Sequence, residues 1–111
     1  MIVKPTSPTS NKRSLEAQAM LRDARKASDF LRALSHKSRL AILCLLVDGE
    51  KTVGEIAELL SLRQPTVSQQ FARLREDRLV KVRRTGKSVH YSIARPEVFE
   101  IISALHRSFC R

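Results

Sequence analysis

From residue 14 onward, apolar side chains recur at steps of three and four: Ala17, Met20, Ala24, Ala27, Leu31 and Leu34. This period predicts a helix from Ser14 to about Ser35, with Ser14 as its N-cap. Residues 40–47 are apolar all round, the pattern of a central, fully buried helix. Gly49 stands where a C-terminal cap is expected. Residues 52–55, TVGE, fit a capping box: the Thr52 hydroxyl accepts from the Glu55 amide, and the Glu55 carboxylate accepts from the Thr52 amide. Ile56, Ala57, Leu59 and Leu60 give the following helix a buried side, and it should end near Ser61. Pro65 suits the first turn of another helix, where its missing N–H costs nothing. In that stretch, QPTVSQQFARLR over residues 64–75, Val67, Phe71 and Leu74 share one face. Two short helices separated by a few residues read as a helix-turn-helix.

After Leu79 the period falls to two. Val80 and Val82 alternate with Lys81 and Arg83; Val89, Tyr91 and Ile93 alternate with Ser88, His90 and Ser92. Between them Arg84-Thr85-Gly86-Lys87 supplies a turn, so the segment reads as a β-hairpin with a basic tip. Pro96 then opens a last helix with apolar positions Val98, Phe99, Ile101, Ile102, Leu105 and Phe109. The expected fold is mainly α with a small β-hairpin, a winged helix-turn-helix over residues 14–111. Residues 1–13 hold Pro5, Pro8 and four Ser/Thr with little to bury, and are expected to form a flexible N-terminal arm.

The polar positions show what the second helix of the pair presents. At about 100° per residue, Thr66, Gln69 and Arg73 lie opposite the apolar face, with Ser68, Gln70 and Arg75 on the flanks and Gln64 at the start. Amide and hydroxyl groups can read base edges in the major groove of DNA. Arg73, Arg75, Arg83, Arg84 and Lys87 suit phosphates, which position a protein without reading sequence. Residues 63–87 carry eight Lys/Arg against Glu76 and Asp77, which is +6 of the chain's +10. Double-stranded DNA is therefore the expected partner. A single domain covers only a half-site. The first and last helices both carry apolar stripes that one domain need not bury, so a homodimer through them on a palindromic operator follows.

Composition narrows the alternatives. With 111 residues and 42% hydrophobic positions, the chain can fold as one domain with a core. Three glycines, one Tyr and four Phe speak against a phosphate-cradling loop or an aromatic base-stacking platform. No run of eighteen apolar residues and no signal-peptide core is present, so a cytoplasmic protein without a membrane span is expected. Two cysteines in such a chain are expected to be thiols. No Ser/His/Asp, Cys/His or carboxylate pair stands at a catalytic spacing, so neither an enzyme nor a cofactor is expected.

The order of these elements, together with RLAILCLLVDGEKTVGEIAELLSLRQPTVSQQFARLREDRLVKVRRTGKSVHYSI, resembles the ArsR/SmtB family of bacterial repressors over roughly residues 28–110. The resemblance implies a dimer built by the first and last helices, and transcriptional repression relieved by an inducer. Many members sense metals, but the matching positions here lack the ligands. VGEIA, residues 53–57, has no cysteine, and the last helix offers Arg95 and Glu97 at its start and Ser108 and Arg111 near its end. His36, His90 and His106 are scattered, so no metal site is expected. Cys44 on the second helix and Cys110 on the last resemble the sulfide- and persulfide-responsive BigR/SqrR-type branch. There the resemblance implies a dithiol switch, in which reactive sulfur species link the two cysteines and the repressor leaves DNA. The chemistry needs one thiolate to attack and a second to resolve. A buried cysteine also often fills a core and nothing more. A peroxide or general thiol-redox response stays open within the family, and an effector-independent architectural DNA-binding module outside it.

Overall fold

Pro8 is the last helix-breaking residue before a long run of good helix formers. The first helix, α1, accordingly spans Ser10–Leu34, about 37 Å at 1.5 Å per residue. The start expected at Ser14 is thus corrected: Ser14 lies inside the helix, and residues 10–13 of the expected arm are helical. The computed structural model describes residues 10–110, and the remainder of the expected arm lies outside them. The helix through Arg32 forms one unit and the residues from Ala33 onward another.

In the second unit, α2 spans Lys37–Leu46. Its uniform apolarity predicts complete burial, but only Ile42, Leu43 and Leu46 are buried. Leu40, Ala41, Cys44 and Leu45 are half-buried, because that face borders a cavity. Gly49 is not the C-cap. Val47 takes that place in ordinary helical backbone, and Gly49 follows at φ 139°, where its amide reaches the Leu46 carbonyl at 3.1 Å.

Helix α3 spans Val53–Leu60 and begins with the expected capping box. The Glu55 amide donates to Thr52 Oγ1 at 3.1 Å, and the Thr52 amide donates to Glu55 Oε1 at 2.8 Å. Leu59 departs from expectation: it is 57% exposed, since the buried stripe of so short a helix is confined to Ile56 and Ala57 with Leu60 half-covered. The helix stops at Ser61, which adopts left-handed backbone at φ 54° while the Leu62 amide reaches back to the Ala57 carbonyl at 2.9 Å. This six-to-one closure satisfies a carbonyl that the helix leaves open.

Helix α4 spans Gln64–Glu76 with Pro65 in its first turn, and it buries Val67, Phe71 and Leu74. It ends by the same device: Arg78 sits at φ 61° and the Leu79 amide bonds to the Leu74 carbonyl at 2.9 Å. The reversal delivers the chain into β1, Val80–Thr85, which pairs antiparallel with β2, Ser88–Ile93. The register from Val80↔Ile93 to Thr85↔Ser88 leaves Gly86 and Lys87 as a two-residue turn. Gly86 has φ 56° at the first of these positions, where a tight hairpin turn favours glycine. Lys51 bridges the other edge of β2 through two bonds with Tyr91, of 3.0 and 2.8 Å. Helix α5, Pro96–Phe109, buries Val98 and Ile102 and packs on α2 and β2.

Candidate nucleic-acid interface and thiol pair

The face of α4 opposite its buried stripe is solvent-facing over Ser68, Gln69, Arg73 and Arg75. Thr66 is half-buried. Gln64 is exposed beside the first turn of α3, its Nε2 3.5 Å from the point where a Cβ on Gly54 would stand. Gln70 is half-buried, and its Oε1 is buried with no hydrogen-bond partner among the described residues. Phe71 fixes α4 from below. Its ring stacks on Tyr91 of β2 at a centroid distance of 4.0 Å and an interplanar angle of 17°. The helix and the hairpin are therefore coupled through an aromatic pair, Phe71 buried and Tyr91 half-buried.

Arg84 and Lys87 are exposed at the hairpin tip. Arg83 is engaged within the protein. Its Nε lies 3.2 Å from both oxygens of Glu50, its Nη2 also donates to Glu50 Oε1, and its Nη1 donates to Thr85 Oγ1 at 3.1 Å. His90 Nδ1 stands 4.0 Å from the same carboxylate. The bond from Arg83 holds the Glu50 carboxyl below the usual carboxylate range. Glu50 is a functional candidate that sequence reasoning missed. The pair spans 33 positions, and no local pattern encodes it.

The two cysteines come together. Cys44, half-buried on α2, and Cys110, exposed at the C-cap of α5, line one cavity of about 450 Å³. Its walls are otherwise mostly hydrocarbon, with Lys37, Asp48 and His106 as the polar exceptions. Burial pushes the Cys44 thiol above its ordinary value of 9.0, and the adjacent Cys110, by its charge and a thiol–thiol hydrogen bond, pushes it further. The two cysteines, far apart in sequence, are thus neighbours in the wall of one cavity. The Cys110 amide donates to the His106 carbonyl at 2.9 Å, which holds the end of α5. His106 borders this cavity and His90 lies by Glu50, while His36 sits at the N-cap of α2 without a side-chain cap bond. Among the described residues no group of three or more His, Cys, Asp or Glu side chains is placed to hold a metal ion. Nor is any helix among them long and apolar enough to cross a membrane.

Comparisons with known proteins agree with this geometry. The family of bacterial regulatory proteins termed arsR matches residues 36–82. The chain is 39% identical over 97 residues to the transcriptional activator HlyU of Vibrio cholerae, covering 87% of this chain and 90% of that protein. It is 40% identical over 92 residues to the biofilm growth-associated repressor of Agrobacterium fabrum, covering 83% and 79%. Among solved structures, reduced HlyU from Vibrio cholerae superposes with a TM-score of 0.80 at 40% identity, over 85% of this chain and 99% of that one. The transcriptional repressor BigR from Xylella fastidiosa gives 0.79 at 36% identity, over 85% and 93%. These relatives are DNA-binding regulators and not enzymes, and a chain so similar to them in sequence and in its winged helix-turn-helix is a transcriptional regulator of the ArsR family.

Proposed function

We propose that the protein is a cytoplasmic repressor that binds a palindromic operator as a homodimer and releases it when reactive sulfur species link Cys44 to Cys110. One observation carries this reading: two cysteines far apart in sequence stand together in the wall of a shared cavity. Cys110 is exposed, whereas burial disfavours the Cys44 thiolate. The order that follows is attack by Cys110 and resolution by Cys44, since the thiolate is the nucleophile. In the reduced dimer, Thr66, Ser68, Gln69 and Arg73 face the major groove, and Arg75, Arg84 and Lys87 meet phosphates. Gln64, exposed at the start of α4, joins them, while the half-buried Gln70 is turned partly away from the bases. The dimer interface draws on Leu31 and Met20 of α1 and on Phe99 and Ile101 of α5, all of them exposed in the single chain.

The test pairs mass spectrometry with operator binding after treatment with inorganic polysulfide and, separately, with hydrogen peroxide. The expected result is a Cys44–Cys110 link and operator release with polysulfide. Cys44→Ser should accumulate a modified Cys110 and stay on DNA. Release that proceeds unchanged in Cys44→Ser would refute the switch. A response to peroxide alone would replace the inducer and keep the dithiol.

A further inference from the structure

The cavity that carries the thiol pair is far larger than the reaction between the thiols requires. Its volume of about 450 Å³ holds roughly fifteen water molecules at a liquid share of ~30 Å³ each. A hydropersulfide head of two sulfur atoms fills a small part of that space. Leu40, Ala41 and Leu45 of α2, Leu60 of α3, and Leu105 and Phe109 of α5 form most of the wall. The half-covered apolar face of α2 is thus the floor of this cavity and carries Cys44. A small sulfur anion gains nothing from hydrocarbon walls and loses hydration beside them. An alkyl chain gains with every methylene that leaves water, roughly fourfold in affinity each.

We propose that the inducer is an organic hydropersulfide, R–S–SH, with an extended apolar tail R that occupies this cavity and places its terminal sulfur beside Cys110. The proposal rests on the dithiol reading above and names its inducer class. The Cys110 thiolate attacks the terminal sulfur, a Cys110–sulfur bond forms as Cys110–S–SH, and the S–S bond of the hydropersulfide breaks; R–S⁻ leaves and takes up a proton as R–SH. The Cys44 thiolate then attacks Cys110 Sγ, forming the Cys44–Cys110 disulfide and expelling HS⁻, which is protonated to H₂S. The two cysteines lose two electrons and the hydropersulfide gains them, so two thiols and R–S–SH become one disulfide, R–SH and H₂S. No other oxidant enters.

The experiment measures rate constants for bridge formation and operator release of the whole chain with methyl, butyl and octyl hydropersulfide, each generated in situ. Inorganic polysulfide serves as the reference reagent. At limiting concentration the rate constant should rise roughly fourfold per added methylene and level off once the tail fills the cavity. Ala41→Phe, which takes up part of the space, should flatten the series; Leu45→Trp serves if the first variant does not fold. A flat series in the native protein, with polysulfide still bridging the cysteines and releasing DNA, overturns the apolar-tail proposal and leaves the dithiol switch standing. A second copy of the chain covering the cavity gives that same flat series. Failure of every reagent to bridge the pair overturns both.

Discussion

Replacing Glu50 by Gln should tighten operator binding at low salt and make it fall more steeply as salt rises. In the free protein Arg83 spends its guanidinium on Glu50, with Nε 3.2 Å from both carboxylate oxygens. That pair is solvent-facing, with 54% of the Arg83 and 36% of the Glu50 side chain exposed, so its loss costs the fold little. The same guanidinium lies on β1 near the basic tip, where a DNA phosphate would compete with Glu50 for it. Each phosphate neutralised by a cation steepens the slope of log K against log salt by about 0.9. A dimer carries two such arginines, so freeing both adds about 1.8. Across a fourfold change of salt, from about 50 to 200 mM, this is roughly a twelvefold larger loss of affinity than in the native protein. Fluorescence anisotropy of a labelled operator, titrated at several salt concentrations, reads the slope directly. Arg83→Gln should change it little while Glu50 is present and should abolish the gain in the Glu50→Gln background, a coupling that a double-mutant cycle isolates. A slope in Glu50→Gln equal to the native one would show that Arg83 never meets the phosphate backbone, and the competition argument would fall.

Three further outcomes rest on the same fold. The Cys44 thiol is raised above 9.0 by burial and by Cys110, so its thiolate fraction near neutral pH is small and grows about tenfold per pH unit below that raised value. Closure of the bridge, followed by rapid quench and mass spectrometry once Cys110 has been modified, should accelerate accordingly into the alkaline range; a rate independent of pH between 7 and 9 would contradict Cys44 as the resolving thiol. Phe71 is fully buried and stacked on Tyr91, and Phe71→Ala should lower unfolding stability by about 3–5 kcal/mol, measured by urea denaturation. Arg78 holds left-handed backbone at φ 61°; Arg78→Gly should raise stability by about 1 kcal/mol, and a destabilised protein would show that the Arg78 side chain makes a contact worth more than the relieved strain.

The elements most easily read from the sequence were those written in local chemistry. The capping box at Thr52 and Glu55, the proline at the start of α4 and the change of period after Leu79 each act within a few residues, and each appears in place. The errors share a different cause. Ser14 is a good capping residue by type, but nothing between Pro8 and Ser14 halts a helix, so α1 runs past it to Ser10. The apolar run in α2 and the Leu59-Leu60 pair in α3 show which residues are apolar, not which are covered. Coverage depends on neighbours such as α5 that lie tens of residues away. The Glu50–Arg83 pair and the inward turn of Gln70 are tertiary facts of the same kind. The cysteine pairing came from family resemblance, and periodicity alone would have left Cys44 as a core filler.

The placement of the two thiols also decides where a bridge deforms the molecule. Cys44 lies on α2, which packs against α4, β2 and α5 and sends Ile42, Leu43 and Leu46 into the core. Shifting that helix disturbs a close-packed interior, in which even small displacements are costly. Cys110 lies past the last turn of α5, where its amide donates a hydrogen bond to the His106 carbonyl at 2.9 Å, and its neighbour Phe109 is 80% exposed. Fraying one exposed terminal turn is the cheaper adjustment. The bridge should therefore bend the end of α5 toward α2 and leave α4 and the hairpin as they are within each protomer. In the proposed homodimer, release of DNA would then come from altered spacing between the two α4 helices, because half-sites one helical turn apart tolerate little change. Hydrogen exchange on reduced and bridged protein separates the two routes. Lost protection confined to residues 105–110, with residues 42–46 and 67–74 unchanged, is the expected result. Lost protection in α2 and α4 would mean that the strain travels through the core, and the dimer-spacing account would have to be abandoned.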